Sequence, residues 1–343
     1  MTKEQQYIYE QNDRVFCRVA GKIGLGMVFF WLIFNGLGFV VAMVQAICLE
    51  LAPGETWAFV VGETLSIIAY LFGFLFSALL LRSMLKKSKD YHPMGGAWHL
   101  PRVTPLLIVG AIAINFAASY FNSTLVSLFL PDQTSDLSSL LNRPNEWYEI
   151  LLLFISTAVV PAIVEEILFR GVILNALLPF GGTVAVLGSA FLFSLMHGNI
   201  FQLFYTALMG IILGYVYIRT RSIWCGVLIH FFNNTVSVVQ EILFDLPDVD
   251  TALRWNAVME LILFLAGGFS VFALLMLYDK RRRIEDHGSF GVIFEPAMDY
   301  QRYPTTKGKT VKNFFSPAMI VFVILSSLDM LIAIFNMMVG GRI

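Results

Sequence analysis

Nine long apolar runs decide what this chain can become. They cover roughly residues 23–48, 57–81, 104–130, 147–178, 183–197, 200–218, 223–244, 255–278 and 317–339. About 20 mostly apolar residues, wound as a helix, cross the hydrocarbon core of a bilayer. A soluble fold cannot hide this much apolar surface: 57% of the 343 residues are hydrophobic and 14% are charged, against about 25% charged in a typical soluble domain. That composition excludes a soluble enzyme and a disordered chain. The net charge of -1 presents no basic patch to phosphates, which excludes a nucleic-acid binder. Cys17, Cys48 and Cys225 follow no disulfide, metal or redox spacing and read as apolar filler. The expected fold class is all-α, a polytopic integral membrane helix bundle of about nine spans.

Two runs are irregular. The fifth is short, and only Gly198 and Asn199 separate it from the sixth. The fourth contains Pro161, which removes a backbone hydrogen bond and kinks a helix. The expectation there is a span that begins near Pro161, with an interfacial piece before it. The polar first 22 residues, followed by a run too long for a signal-peptide core, read as an uncleaved first span.

Charge sets the orientation. With the N-terminus inside and the spans alternating, 19 of the 23 basic residues fall on the inner side, as the positive-inside rule requires. The outer segments are acidic instead, with Glu50, Asp132, Asp136, Asp245 and Asp248 among them. The protein is expected in the cell membrane, multi-pass, with a cytoplasmic N-terminus. No internal repeat points to an inverted-repeat transporter.

Ionisable residues inside a membrane are costly and mark function. Of the five histidines, His92, His99 and His287 fall in inner loops and read as solvated surface. His197 and His230 lie in apolar runs. The carboxylates well inside a span are Glu165, Glu166 and Asp329. Asp329 stands alone in the last span and reads as a helix–helix hydrogen-bonding group ahead of a catalytic one.

Three clusters emerge. In PAIVEEILFRG, Glu165 and Glu166 point about 100° apart on a helix. Glu166 and Arg170 are four apart and can pair on one face. Glu165 is then left to face a cavity, and a desolvated carboxylate suits a general base. In FLFSLMHGN, Phe193 lies one turn before His197 on the same face. In HFFNN, His230 and Asn234 share a helical face and can donate two hydrogen bonds to one oxygen, as an oxyanion site requires. At 1.5 Å per residue from the inner ends, Glu165 and Asn234 lie about 18 Å deep, His197 about 21 Å and His230 about 12 Å. All four can meet near mid-membrane.

These motifs, Glu165-Glu166-Ile167-Leu168-Phe169-Arg170, Phe193-Ser194-Leu195-Met196-His197 and His230-Phe231-Phe232-Asn233-Asn234, read EExxxR, FxxxH and HxxxN. In that order on three spans they resemble the CPBP intramembrane proteases, also called the ABI or CAAX-protease family, which includes the type II CAAX prenyl endopeptidases and bacterial relatives. The resemblance covers about residues 150–240. It implies a glutamate-dependent intramembrane endopeptidase acting on a membrane-associated peptide or protein, either CAAX-like or a bacteriocin or signal peptide. Glu165 and His197 would activate a water, and His230 and Asn234 would stabilise the tetrahedral oxyanion. Glu166 and Arg170, with Phe193, would hold the site's structure. No cofactor and no metal are implied. The division that follows is an N-terminal three-span region (1–146), a catalytic core (147–246) and a C-terminal two-span region (247–343).

Two other function classes stay open. Two histidines and a glutamate are plausible zinc ligands of a membrane hydrolase, although HExxH is absent. A non-enzymatic membrane partner, such as a scaffold or an immunity or regulatory protein, would use the same polar cluster as a structural network.

Overall fold

The structure, a computed structural model, describes residues 2–51, 55–86, 100–129, 146–200, 202–244, 248–285, 303–306 and 308–340. Every apolar run becomes helix. We label the helices α1 (Lys3–Leu51), α2 (Glu55–Lys86), α3 (Thr104–Phe129), α4 (Trp147–Phe180), α5 (Gly182–Met196), α6 (Leu203–Thr220), α7 (Ile223–Phe244), α8 (Val249–Glu285), α9 (Lys309–Phe314) and α10 (Pro317–Gly340). Seven of them are both long and apolar enough to cross a bilayer. The remaining two runs are the 15-residue α5 and the more polar α7. The chain is a polytopic helical membrane protein.

The bundle is apolar on the outside as well as within. Phe39, Val40 and Met43 of α1, Phe264, Leu265 and Phe269 of α8, and Leu331 and Phe335 of α10 are all exposed. In water such a surface would drive aggregation; in lipid it is the solvated state. The largest apolar core joins Phe16, Ile23, Met27 and Phe30 of α1 to Phe74 of α2, Leu168 and Phe169 of α4, Phe193 of α5 and Phe322 of α10. A second cluster ties Ala111 of α3 to Met209 and Leu213 of α6 and to Cys225 and Ile229 of α7.

Helix α1 begins at Lys3, so the polar N-terminal stretch is helical too. It does not stand free. Asn12 donates to the Pro304 carbonyl at 3.0 Å, and Asp13 accepts from the Thr306 hydroxyl at 2.6 Å. Phe16 packs on Phe180 at the end of α4, with ring centroids 4.8 Å apart. The Tyr303 N–H donates to the Pro179 carbonyl at 3.1 Å. The segments that alternation assigns to one side therefore meet at one end of the bundle. His92, His99, His287, Asp132, Asp136 and Asp245 lie outside the described residues.

The fourth span differs from expectation. It is one continuous helical segment from Trp147 to Phe180, with no separate interfacial piece. The proline is absorbed by a widened π-helical turn over Ile155–Val159, followed by an α-helical stretch over Val160–Glu166. A second π-helical stretch, Ile167–Leu174, carries Arg170. Such bulges absorb a missing hydrogen bond without breaking the helix and re-aim the side chains around them.

Candidate active site

The polar centre is built on α4. Glu166 and Arg170, four apart, form the expected ion pair at 2.6 Å, and both side chains are fully buried. A second guanidinium nitrogen, Nη2, donates to the Gly210 carbonyl of α6 at 3.1 Å. Arg170 also lies over the Phe193 ring, 4.9 Å from its centroid. A buried arginine is tolerable only with such partners around it. Room for the pair is made on α7: a side-chain carbon at Gly226 would lie 2.7 Å from Glu166 Oε2.

Glu165 points elsewhere, as adjacent helical residues must. It is 2% exposed. Its Oε1 accepts a short hydrogen bond from the hydroxyl of Tyr70 on α2. Tyr70 is held in turn by stacking on Phe74, with centroids 4.5 Å apart, and by an edge contact with Phe34. The other oxygen, Oε2, is buried and accepts no hydrogen bond among the described residues. It faces Nε2 of His230 at 3.8 Å. The opposite nitrogen of that ring, Nδ1, lies 3.3 Å from Glu166 Oε1. His230, itself buried, thus sits between the two glutamates.

Phe193 is the hub between the motifs. Its ring stands edge-on to His197 at 4.9 Å, to His230 at 5.8 Å and to Phe169 at 5.2 Å. His197 closes α5, with Nδ1 2.8 Å from the Phe193 carbonyl. A carbonyl only accepts, so Nδ1 carries the proton and a neutral His197 presents Nε2 as a lone pair. The half-buried His197 also borders a cavity of about 350 Å³.

Asn234 lies one turn beyond His230, yet its amide reaches another partner: it donates to the Thr157 carbonyl in the π-helical turn of α4 at 3.0 Å. Asn233 donates to its side-chain oxygen at 3.3 Å and accepts from Asn115 of α3 at 2.9 Å. The structure therefore gathers Glu165, Glu166, Arg170, Phe193, His197 and His230 into one contact network. Asn234 is tied to the same helix two turns before Glu165. Asp329 bonds across helices as read from the sequence, accepting from the Trp31 indole at 2.5 Å.

Tyr70, Gly226 and Gly210 escaped sequence reasoning. Tyr70 is one aromatic among many in an apolar run, and nothing in its spacing marks it. Among the described residues, no group of three or more His, Cys, Asp and Glu is disposed to hold a metal ion.

Comparison with known proteins falls on this segment. Residues 147–236 match the family model "Type II CAAX prenyl endopeptidase Rce1-like". A Bacillus subtilis (strain 168) protein named "Putative membrane peptidase YdiL" is 30% identical over 96 residues, which is 26% of this chain and 38% of that protein. The chain thus spans about two fifths of the length of that relative. No solved structure matches. The matched segment runs from the first residue of α4 to two residues past Asn234 and holds all three motifs, so it is this segment that is similar to the CAAX prenyl endopeptidase-like membrane proteins.

Proposed function

We propose that this protein is an intramembrane glutamic endopeptidase that hydrolyses a peptide bond in a membrane-associated peptide or protein, without a metal ion. The observation that carries the reading is the asymmetry of Glu165: one oxygen is held by Tyr70, and the other is buried with no donor among the described residues. A carboxylate positioned in this way has one basic oxygen aimed and ready to take a proton.

In this reading Glu165 Oε2 accepts a proton from water, with the His197 Nε2 lone pair orienting the same water. The hydroxide adds to the substrate carbonyl. The oxyanion that forms accepts hydrogen bonds from His230 and from the second amide proton of Asn234. The tetrahedral intermediate collapses, the C–N bond breaks, and Glu165 returns its proton to the leaving amine. Glu166, Arg170 and Phe193 hold the framework. The catalytic core spans 147–246, flanked by a three-span region (1–146) and a two-span region (247–343). The protein lies in the cell membrane with its N-terminus in the cytoplasm.

The test is comparative proteomics of a deletion strain and a strain carrying Glu165→Ala. The expected result is one uncut precursor common to both. A Glu165→Ala strain that keeps the wild-type processing pattern and phenotype overturns the reading in favour of a non-enzymatic partner. Cleavage by purified protein that chelator abolishes and zinc restores overturns it in favour of a zinc hydrolase.

A further inference from the structure

The cavity beside His197 lies between α1, α5 and α10. At about 350 Å³ it falls in the size range of small-ligand sites. Its walls are mostly apolar, with Phe30, Phe34 and Phe322 among them, and it carries Trp31, Asn35, His197 and Asp329 as polar groups, the Asn35 amide donating to the Trp31 carbonyl at 3.0 Å. Two of the three helices that line it, α1 and α10, lie wholly outside the segment that matches the family model.

Asp329 is the unexplained group. It sits 12 residues into α10, about 18 Å along the helix from Pro317 at 1.5 Å per residue. That is the depth at which a carboxylate costs most in a bilayer. The Trp31 indole satisfies one of its oxygens, Oδ2. Among the described residues no cation pairs with it. If its only role were to join α1 to α10, a neutral acceptor would serve without a charge. The carboxylate is also set close to the chemistry. Gly198, directly after His197, takes a left-handed turn with φ of +59°, and a side-chain carbon there would lie 3.4 Å from Asp329 Cβ. Asp329 therefore packs against the turn that ends α5.

We propose that this cavity is a substrate subsite for a basic side chain, lysine or arginine, carried on an apolar segment, with Asp329 as its specificity-determining carboxylate. A lysine or arginine stem is apolar and lies along apolar walls, while its head seeks a charge or water. The aromatic wall suits the stem, and Asp329 suits the head. An acidic or phosphorylated segment would meet like charge and be rejected. Because the subsite borders His197, the basic residue would lie close to the bond that is cut. The occupant's identity as substrate rests on the peptidase reading; the charge preference of the cavity does not.

The test needs no known substrate. In full-length protein in detergent, with Cys17, Cys48 and Cys225 replaced, Ala333→Cys places a thiol on the cavity wall one turn from Asp329. Its labelling rate is measured with a cationic and an anionic methanethiosulfonate of similar size, each normalised to a free thiol. We expect the cationic reagent to be favoured by at least about tenfold, which one nearby carboxylate can supply. Asp329→Asn keeps an acceptor for Trp31 and should bring the ratio close to one. A capped apolar peptide with one central lysine should slow labelling in a Glu165→Gln background, and the same peptide with glutamine should not. Equal rates for both reagents, or a preference that survives Asp329→Asn, overturns the proposal. A charge preference in a protein that cleaves nothing keeps the cation site and sinks the peptidase reading. Cleavage without a charge preference does the reverse.

Discussion

The amide of Asn234 donates to the carbonyl of Thr157 at 3.0 Å, and the proline four residues after Thr157 explains why that carbonyl needs a donor. In an α-helix the Thr157 oxygen would bond to the N–H of residue 161, and Pro161 has none. The helix widens into a π turn at this point, and a side chain from α7 donates to that carbonyl. The third motif is thereby locked to the first. Asn234→Ala should cost about 1–3 kcal/mol of stability by leaving a carbonyl without its donor. Adding Pro161→Ala, which restores an N–H, should recover much of that loss. Activity should not recover if Asn234 is the oxyanion donor proposed above. Thermal unfolding and turnover of the two variants separate the roles; recovery of both together would make Asn234 purely structural.

The two adjacent glutamates should fail differently. Glu165→Gln keeps the size and the acceptor for Tyr70 but cannot take a proton, so cleavage should vanish in a folded protein. Glu166→Gln leaves Arg170 buried beside a neutral amide, and breaking a buried pair costs about 3–5 kcal/mol. Yield and unfolding temperature should fall accordingly. A fully folded, inactive Glu166→Gln beside an active Glu165→Gln would reverse the assignment.

Tyr70 is the test of whether the N-terminal spans take part in the chemistry. Tyr70→Phe keeps the stacking on Phe74 and removes the hydroxyl that holds Glu165. A hydrogen bond to a charged group contributes about 1.5–3 kcal/mol, so kcat should fall roughly 10- to 100-fold. KM should stay near its wild-type value, because in the proposed mechanism Tyr70 orients Glu165 and does not hold substrate. A change confined to KM would move Tyr70 to the substrate-binding surface.

What the sequence showed and what it hid divide along one physical line. The apolar runs mark the helices, and seven of them among the described residues meet the length and apolarity that lipid imposes on a span. The Glu166–Arg170 pair is legible because positions four apart on a helix are neighbours. Contacts between helices carry no such spacing. Tyr70 and Glu165 are 95 positions apart, Asn234 and Thr157 are 77 apart, and Trp31 and Asp329 are 298 apart. The helical start at Lys3 was hidden for a related reason. The first turns, residues 3–11, are mostly polar and give little periodic signal; the buried stripe begins only at Phe16, Val19, Ala20 and Ile23, and the stretch is held by the Asn12 and Asp13 contacts with residues 304 and 306.

Gly226 should tolerate no side chain. A methyl group there would lie 2.7 Å from Glu166 Oε2, and the carboxylate cannot retreat without leaving Arg170. Gly226→Ala should therefore destabilise by about 1–3 kcal/mol, as overpacking does, and lower activity by displacing His230 one turn along. Gly268, whose added carbon would meet nothing within 4 Å, serves as the control: Gly268→Ala should leave activity unchanged. Equal effects at the two positions would remove the argument for a tight seat around Glu166.

Orientation follows from where the basic residues are cheapest to leave. Reporter fusions at Arg221 and Arg282, and at Lys87 outside the described residues, should report the cytoplasm. Fusions at Asp248, and at Asp136 outside the described residues, should report the opposite side. The contacts at one end of the bundle sharpen this expectation. Asn12 bonds to Pro304, and Tyr303 bonds to Pro179, so the N-terminal stretch, the end of α4 and the segment before α10 must share a side. A fusion at Pro304 should therefore agree with Arg282, whatever the absolute orientation. Opposite signals from those two positions would mean that the α8–α10 connection crosses the membrane, and the alternation would have to be redrawn.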